Sequence, residues 1–379
     1  MAGIYVHIPF CKTRCSYCDF FSTTSHGLAR RYVDALIGEA QLRCHELEGQ
    51  SVQTVYFGGG TPSQLPVTEM KRVVDAFSRI FDLSGVGEFT VEVNPDDVTP
   101  EYIEALRLMG VNRISMGVQS FVDSELRFIN RRHDSASAIA AIGMIKKSGI
   151  RNVTIDLIYG IPGQNLNSWV QSVATALEQG VQHISAYNLS YEEGTRLWKQ
   201  LQNGDIAETD EELCLRMYEM LVEMLENAGY EHYEISNFAL PGFRSLHNSS
   251  YWNGSPYLGL GAAAHSYDGN TRRFNPRNLL QYISSIERHE PAFECEVLTM
   301  NEKLNEQIMV SLRTKQGLDL KKLEQTFSRG ILDELCRKAE GFISGGLAEI
   351  VDNRLKITKK GVFVSDAVIR DLMVDTEVE

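Results

Sequence analysis

Ile4-Tyr5-Val6-His7-Ile8-Pro9-Phe10-Cys11-Lys12-Thr13-Arg14-Cys15-Ser16-Tyr17-Cys18 puts three thiols within eight residues, just past an apolar run that reads as a β-strand. Soft thiolates grouped so closely select a thiophilic metal centre. Three protein ligands rather than four leave one position open for a small molecule. Two plainer alternatives stay open at this point. One is a zinc site that adds His7, four residues before Cys11. The other is three unligated thiols packed as small hydrophobes. Disulfides are disfavoured, because seven cysteines is an odd count and no secretory signal precedes them. Cys44, Cys214, Cys295 and Cys336 show no ligand spacing and read as packing residues.

A chain of 379 residues, 43% hydrophobic and 23% charged, has the composition of a globular protein with room for a second, smaller domain. No apolar run approaches the roughly 20 residues that span a bilayer, so an integral membrane protein is not expected. A net charge of −13 argues against nucleic acid as the main partner. Clustered thiols without a signal peptide predict a cytoplasmic, reducing location.

Working outward from the cysteines, strands alternate with amphipathic helices. Strands are expected at Ile4–Ile8, Thr54–Phe57, Glu88–Val93, Arg113–Val118, Val153–Ile158 and His183–Asn188. Helices are expected from Leu28 to about Leu47, over Val67–Ile80, after the Thr99-Pro100 start signal, from Asp134 or Ser135 to Gly149, over Asn167–Gln179 and over Asp210–Ala228. This order predicts an α/β fold with a parallel sheet, a partial (βα)6-type barrel. In such folds chemistry sits at the C-terminal ends of the strands. The unusual motifs fall there: the cysteines, Gly58-Gly59-Gly60-Thr61-Pro62, Glu92 with Asn94-Pro95, Gly117-Val118-Gln119-Ser120, Asp156 with Tyr159-Gly160-Ile161-Pro162-Gly163, and Tyr187-Asn188.

The spacing C-x3-C-x2-C, followed by these strand-end motifs over residues 4–163, resembles the radical S-adenosylmethionine (SAM) superfamily. The resemblance implies a 4Fe–4S cluster held by Cys11, Cys15 and Cys18, with SAM on the fourth iron. It also implies SAM contacts from the Gly59, Gly60 and Thr61 turn and from Glu92, Gln119, Arg131 and Asp156. Tyr5 and Tyr17 occupy positions that the family uses near the cofactor. By residue chemistry alone, Glu92 can bond a ribose hydroxyl or an ammonium. Arg131 can equally be part of the solvated run Arg127, Arg131, Arg132, and either tyrosine can be core.

Tyr5 to Cys11, Gly58 to Pro62, Ser115 to Phe121 and Asp156 to Gln164 are similar to the oxygen-independent coproporphyrinogen III oxidase group. Three features then bear on the branch. The oxidases carry a fourth cysteine where Phe20 stands. They carry a long N-terminal extension, which is not expected here because the first strand begins by Ile4. His247-Asn248-Ser249-Ser250-Tyr251-Trp252 matches the H-N-x-x-Y-W motif of the haem-chaperone branch. The resemblance therefore implies a haem carrier, with haem as cargo, haem-accepting proteins as partners and no assigned catalytic residue. The alternative is a radical SAM oxidoreductase acting on porphyrinogen propionates. His247 is the candidate haem ligand, with His265 and His232 competing. Three regions are expected: the barrel over 1–235, a connecting region over 236–297 that carries the His247 motif, and a smaller C-terminal winged-helix-like α/β module over 298–379. From Thr299 onward 13 Lys/Arg stand against 14 Asp/Glu, which favours a structural or protein-contact role for that module and allows a homodimer.

Overall fold

The computed structural model describes residues 2–47, 49–290 and 293–374. Strands β1 (Ala2–Ile8), β2 (Val52–Gly59), β3 (Glu88–Val93), β4 (Arg113–Gln119), β5 (Asn152–Tyr159) and β6 (His183–Asn188) lie side by side in parallel. Helices Ala29–Arg43, Val67–Ile80, Pro100–Leu108, Ser135–Lys147 and Leu166–Glu178 make the crossovers. Their starts follow from capping. Thr99 accepts a hydrogen bond from the Tyr102 amide with Pro100 in the first turn, and Asp134 accepts one from the Ser137 amide.

Period-two alternation gives each central strand two faces. Val6, Phe57, Val91, Met116, Ile155 and Ile184 belong to one face and are fully buried in the apolar core with the helices. The intervening residues face the inside and carry the polar groups.

The segment expected to be a connection, 236–297, is instead part of the sheet. β7 (Glu231–Glu234) and β8 (Asn237–Ala239) form a hairpin, so a boundary at 235 would cut it. β8 pairs antiparallel with β6. The chain then crosses to the opposite edge, where β9 (Tyr257–Leu260) lies parallel to β1. β10 (His265–Tyr267), β11 (Thr271–Phe274) and β12 (Glu294–Val297) continue outward, antiparallel. The result is one sheet of 12 strands in the order β12-β11-β10-β9-β1-β2-β3-β4-β5-β6-β8-β7. Without β9, β1, buried at six of its seven residues, would leave one edge of its backbone unpaired.

The C-terminal module begins with a capping box, Thr299 and Glu302, at helix Met300–Leu312. β13 (Leu318–Asp319), helices Leu320–Thr326 and Arg329–Ser344, and the hairpin of β14 (Ala348–Val351) and β15 (Arg354–Ile357) follow in winged-helix order. Leu304, Ile308, Leu335, Leu355 and Leu372 form a separate core. The Ile235 amide bonds to Arg313 O at 3.1 Å and the Lys315 amide to Tyr233 O at 3.1 Å, tying the module to β7 and its turn. Of the expected span 298–379, residues 375–379 lie outside the described residues. Among the described residues no helix is long and apolar enough to cross a membrane.

Candidate functional site

A cavity of about 620 Å³ opens at the C-terminal ends of the strands. Cys11, Cys15, Tyr17 and Cys18 reach it from the loop after β1. Gly59, Gly60, Thr61, Glu92, Gln119, Arg131 and Asp156 line it from the other strand ends. Every expected cofactor residue except Tyr5 and His247 is therefore in one place. Asn94 and Tyr187, expected at the strand ends, line it too, as do Tyr56, Arg113 and Ser185, which the sequence did not single out. Their signal was available: polar residues at alternate positions of otherwise apolar strands mark an inward, wetted face.

Glu92 accepts hydrogen bonds from the Tyr56 hydroxyl at 2.7 Å and the Gly59 amide at 3.1 Å. Burial pushes its carboxyl up to about 7, with the charge of Asp156 adding to the rise. Burial pushes Asp156 up to about 6. The two acids share the chamber with the guanidinium groups of Arg113 and Arg131, whose charges pull Asp156 back down. The glycines have a packing reason as well. A Cβ at Gly59, which has φ +106°, would stand 2.4 Å from the His7 ring, and one at Gly60 would stand 2.8 Å from Ile8 O. Gln119, a non-glycine residue with φ 69°, sits at a bulge where β4 loses register with β5. Such strain persists where the surroundings enforce it, and it clusters at functional sites.

Arg131 joins the strands to the cysteine loop. It donates to Cys15 Sγ at 3.3 Å, to Asn94 Oδ1 at 2.7 Å and to the Gly117 carbonyl. Its Nε is buried with no partner. Thr61 Oγ1 lies 3.4 Å from Cys11 Sγ. Burial raises the Cys11 thiol and pushes Cys18 up to about 11. These thiols need a metal to ionise, and the guanidinium beside Cys15 stands ready to balance the resulting negative charge. The set fits an iron–sulfur cluster, which spreads its thiolates over separate irons. Among the described residues no three His, Cys, Asp or Glu are gathered tightly enough to hold a single metal ion. His7 is also spoken for, by Phe21 O at 2.8 Å and the Tyr5 hydroxyl at 3.2 Å.

Two expected residues lie elsewhere. Tyr5 lines a second, smaller cavity with His7, Phe20 and His265. His247 is 1% exposed and lines neither cavity. Its Nδ1 pairs with Thr54 Oγ1 at 2.8 Å and its Nε2 with the Tyr251 hydroxyl at 2.9 Å, which leaves no nitrogen for iron. Its motif forms helix Leu246–Trp252, whose first amides, at Leu246 and His247, bond the Glu88 carboxylate at the start of β3. The motif thus plugs the end of the barrel opposite the cysteines. His247→Ala is expected to cost about 2–4 kcal/mol, because it opens a cavity and strands the Thr54 hydroxyl. A thermal unfolding midpoint equal to that of the parent protein would refute the plug.

Residues 5–176 match the family model described as Radical SAM superfamily, and residues 298–364 match the HemN C-terminal domain. The heme chaperone HemW of Mycobacterium tuberculosis (strain ATCC 25618 / H37Rv) is 35% identical over 98% of this chain and 94% of its own length. The HemW of Bacillus subtilis (strain 168) is 32% identical over 97% and 98%. The mouse (Mus musculus) mitochondrial radical S-adenosyl methionine domain-containing protein 1 is 31% identical over 98% and 87%. Among solved structures, the coproporphyrinogen III oxidase HemN of Escherichia coli superposes with a TM-score of 0.87 at 24% identity, covering 99% of this chain and 91% of that one, which speaks for a shared fold. A barrel rim carrying three cysteines, a HemN-type C-terminal module and full-length likeness to these relatives place the chain in the radical SAM superfamily, as a member of the HemW family.

Proposed function

We propose that the protein binds haem and hands it to haem-requiring proteins, and that it holds a 4Fe–4S cluster on Cys11, Cys15 and Cys18 beside a SAM site in the larger cavity. Membership of the radical SAM superfamily implies the cluster and SAM. The observation that carries the residue assignment is the meeting of all three cysteines with Glu92, Arg131 and Asp156 in one cavity. When bound, the cluster supplies an open iron for SAM and one-electron reducing power. The protein's own groups have separable tasks. Arg131, held by Asn94, balances thiolate charge. Glu92 and Asp156 offer carboxylates to the cationic end of SAM. Tyr17 gives the adenine an aromatic wall. Three metal-binding thiols suit a reducing cytoplasm.

SAM binding should weaken in acid. Both carboxyls have raised pKa values, so they are charged above about 7 and become protonated as the pH falls through about 7 for Glu92 and about 6 for Asp156. Each one neutralised removes an attraction for the cation. The dissociation constant should therefore rise towards about tenfold per pH unit for each carboxyl below its pKa. Anaerobic calorimetry across that window measures it, and a flat profile would take the two acids out of the site.

The haem reading is supported by the HemW relatives, and by Phe20 standing where the resemblance puts the oxidases' fourth cysteine. An anaerobic haem titration of the reconstituted protein, run beside product analysis with a porphyrinogen, decides between carrier and oxidase. Saturable binding without decarboxylated product is expected. Decarboxylation without stable haem binding would reverse the assignment.

A further inference from the structure

We propose that haem docks in the second cavity, beside the cysteine loop, with His265 as its iron ligand and Arg277 as the partner of a propionate. This rests on the haem-binding function proposed above and supplies the site that His247 does not. The cavity is about 300 Å³ and is lined by His7, Phe20, Tyr257, His265 and Arg277, among others.

The other candidate imidazoles are engaged. His247 and His7 have both ring nitrogens bonded. His232 Nε2 is held by Ile235 O at 3.2 Å and its ring stacks on Phe238 with centroids 4.2 Å apart. His265 is different. It is exposed, its ring makes no hydrogen bond, and its aromatic neighbour Phe274 meets it edge-on at 4.8 Å. Partial burial, with Arg272 and Arg277 adding, lowers its pKa and favours the neutral, ligating imidazole. Its position is also enforced. Ala263, two residues before it, has φ 61°, a conformation that an alanine holds only under tertiary constraint.

The rest of the cavity matches the rest of haem. Arg277 spends one N–H on Asp19 O at 2.9 Å and keeps further donors in the open, suited to a carboxylate. Phe20 is 61% exposed, an apolar ring with its face uncovered, and Tyr257 adds a second aromatic wall. A cavity of this size leaves part of the macrocycle in solvent, where a recipient can reach it. Asp19 and Phe20 line both cavities, so the loop that carries Cys18 is also a wall of the haem site.

The test is an anaerobic haem titration of the full, reconstituted chain, read by Soret absorbance and electron paramagnetic resonance. The parent protein should bind saturably with an imidazole-type axial ligand. His265→Ala should bind at least about tenfold more weakly and lose that signature, with added imidazole restoring it. Arg277→Ala should weaken binding without changing the ligand signature. His265 is exposed, so folding is not at risk, and His265→Gln serves as a second variant. Parental affinity and spectrum in His265→Ala and His265→Gln would overturn the site and leave the haem function standing. Absence of saturable binding in the parent would overturn that function and the site with it.

Discussion

Alanine at Cys11, Cys15 or Cys18 is expected to abolish iron and labile sulfide after anaerobic reconstitution. Alanine at Cys44, Cys214, Cys295 or Cys336 should leave both at the parental level. The contrast follows from position. The first three line the larger cavity and the other four do not. Cys214 is buried in the core under the sheet, Cys295 is exposed on edge strand β12, and Cys44 and Cys336 are half-buried against apolar neighbours. Within the triad the losses differ in their consequences. Cys15→Ala removes the sulfur beside Arg131 and leaves that guanidinium with only Asn94 and the Gly117 carbonyl, so this variant should also lose stability. Cys11→Ala costs the weak contacts of that thiol with Thr61, at 3.4 Å, and Ser22. Iron and sulfide assays with the spectrum of the reduced protein check the prediction. Full iron content in any triad variant would end the cluster assignment, and stoichiometric zinc in place of iron would restore the zinc alternative.

The parallel half of the fold was legible because burial on both faces writes itself into the chain as short Val/Ile runs, and because the helices between them start at Thr99 and Asp134 with capping side chains. The site was legible for the same reason: a polar residue in such a run has to face something other than core. β8 to β12 were not legible. β8 and β10 have three residues each, and all four residues of β12 are exposed, so no alternation exists to be read. β9 to β12 are determined by the edge that β1 offers and β8 by the edge of β6, which are tertiary facts. Helix Leu246–Trp252 was hidden by its Asn-Ser-Ser centre, since its stability comes from Glu88 on a distant strand. The burial of His247 was not legible either, because a sequence shows an imidazole but not whether its nitrogens are already taken.

Glu39 shows what such hidden constraints are worth. Glu39→Ala is expected to destabilise the protein by about 2–4 kcal/mol, the cost of leaving buried donors without an acceptor. The Glu39 and Arg43 side chains, on helix Ala29–Arg43, are 1% and 2% exposed and meet at 2.7 Å. Glu39 also accepts from Asn275 at 2.7 Å, the Gly261 amide at 2.8 Å and the Tyr282 hydroxyl at 2.7 Å. Arg43 also reaches Ser266 at 2.9 Å and Gly259 O at 3.2 Å. One carboxylate therefore fastens a crossover helix to β9, to the turn before His265 and to helix Leu279–Glu287. Its removal leaves the Gly261 amide and the Tyr282 hydroxyl without their acceptor, while Asn275 keeps the Gly261 carbonyl at 2.8 Å and Arg43 keeps Glu46 at 2.8 Å. Glu39→Gln keeps the size and one accepting oxygen, so its loss should be smaller. Because Gly261 and Asn275 flank β10 and β11, the alanine variant should also bind haem more weakly, although residue 39 does not line the cavity. Urea unfolding and the haem titration on the same preparation measure both effects. A loss of under about 1 kcal/mol would mean that water replaces the carboxylate. The sheet's added half would then be held by the β1–β9 pairing and apolar packing, and the placement of His265 would owe nothing to this network.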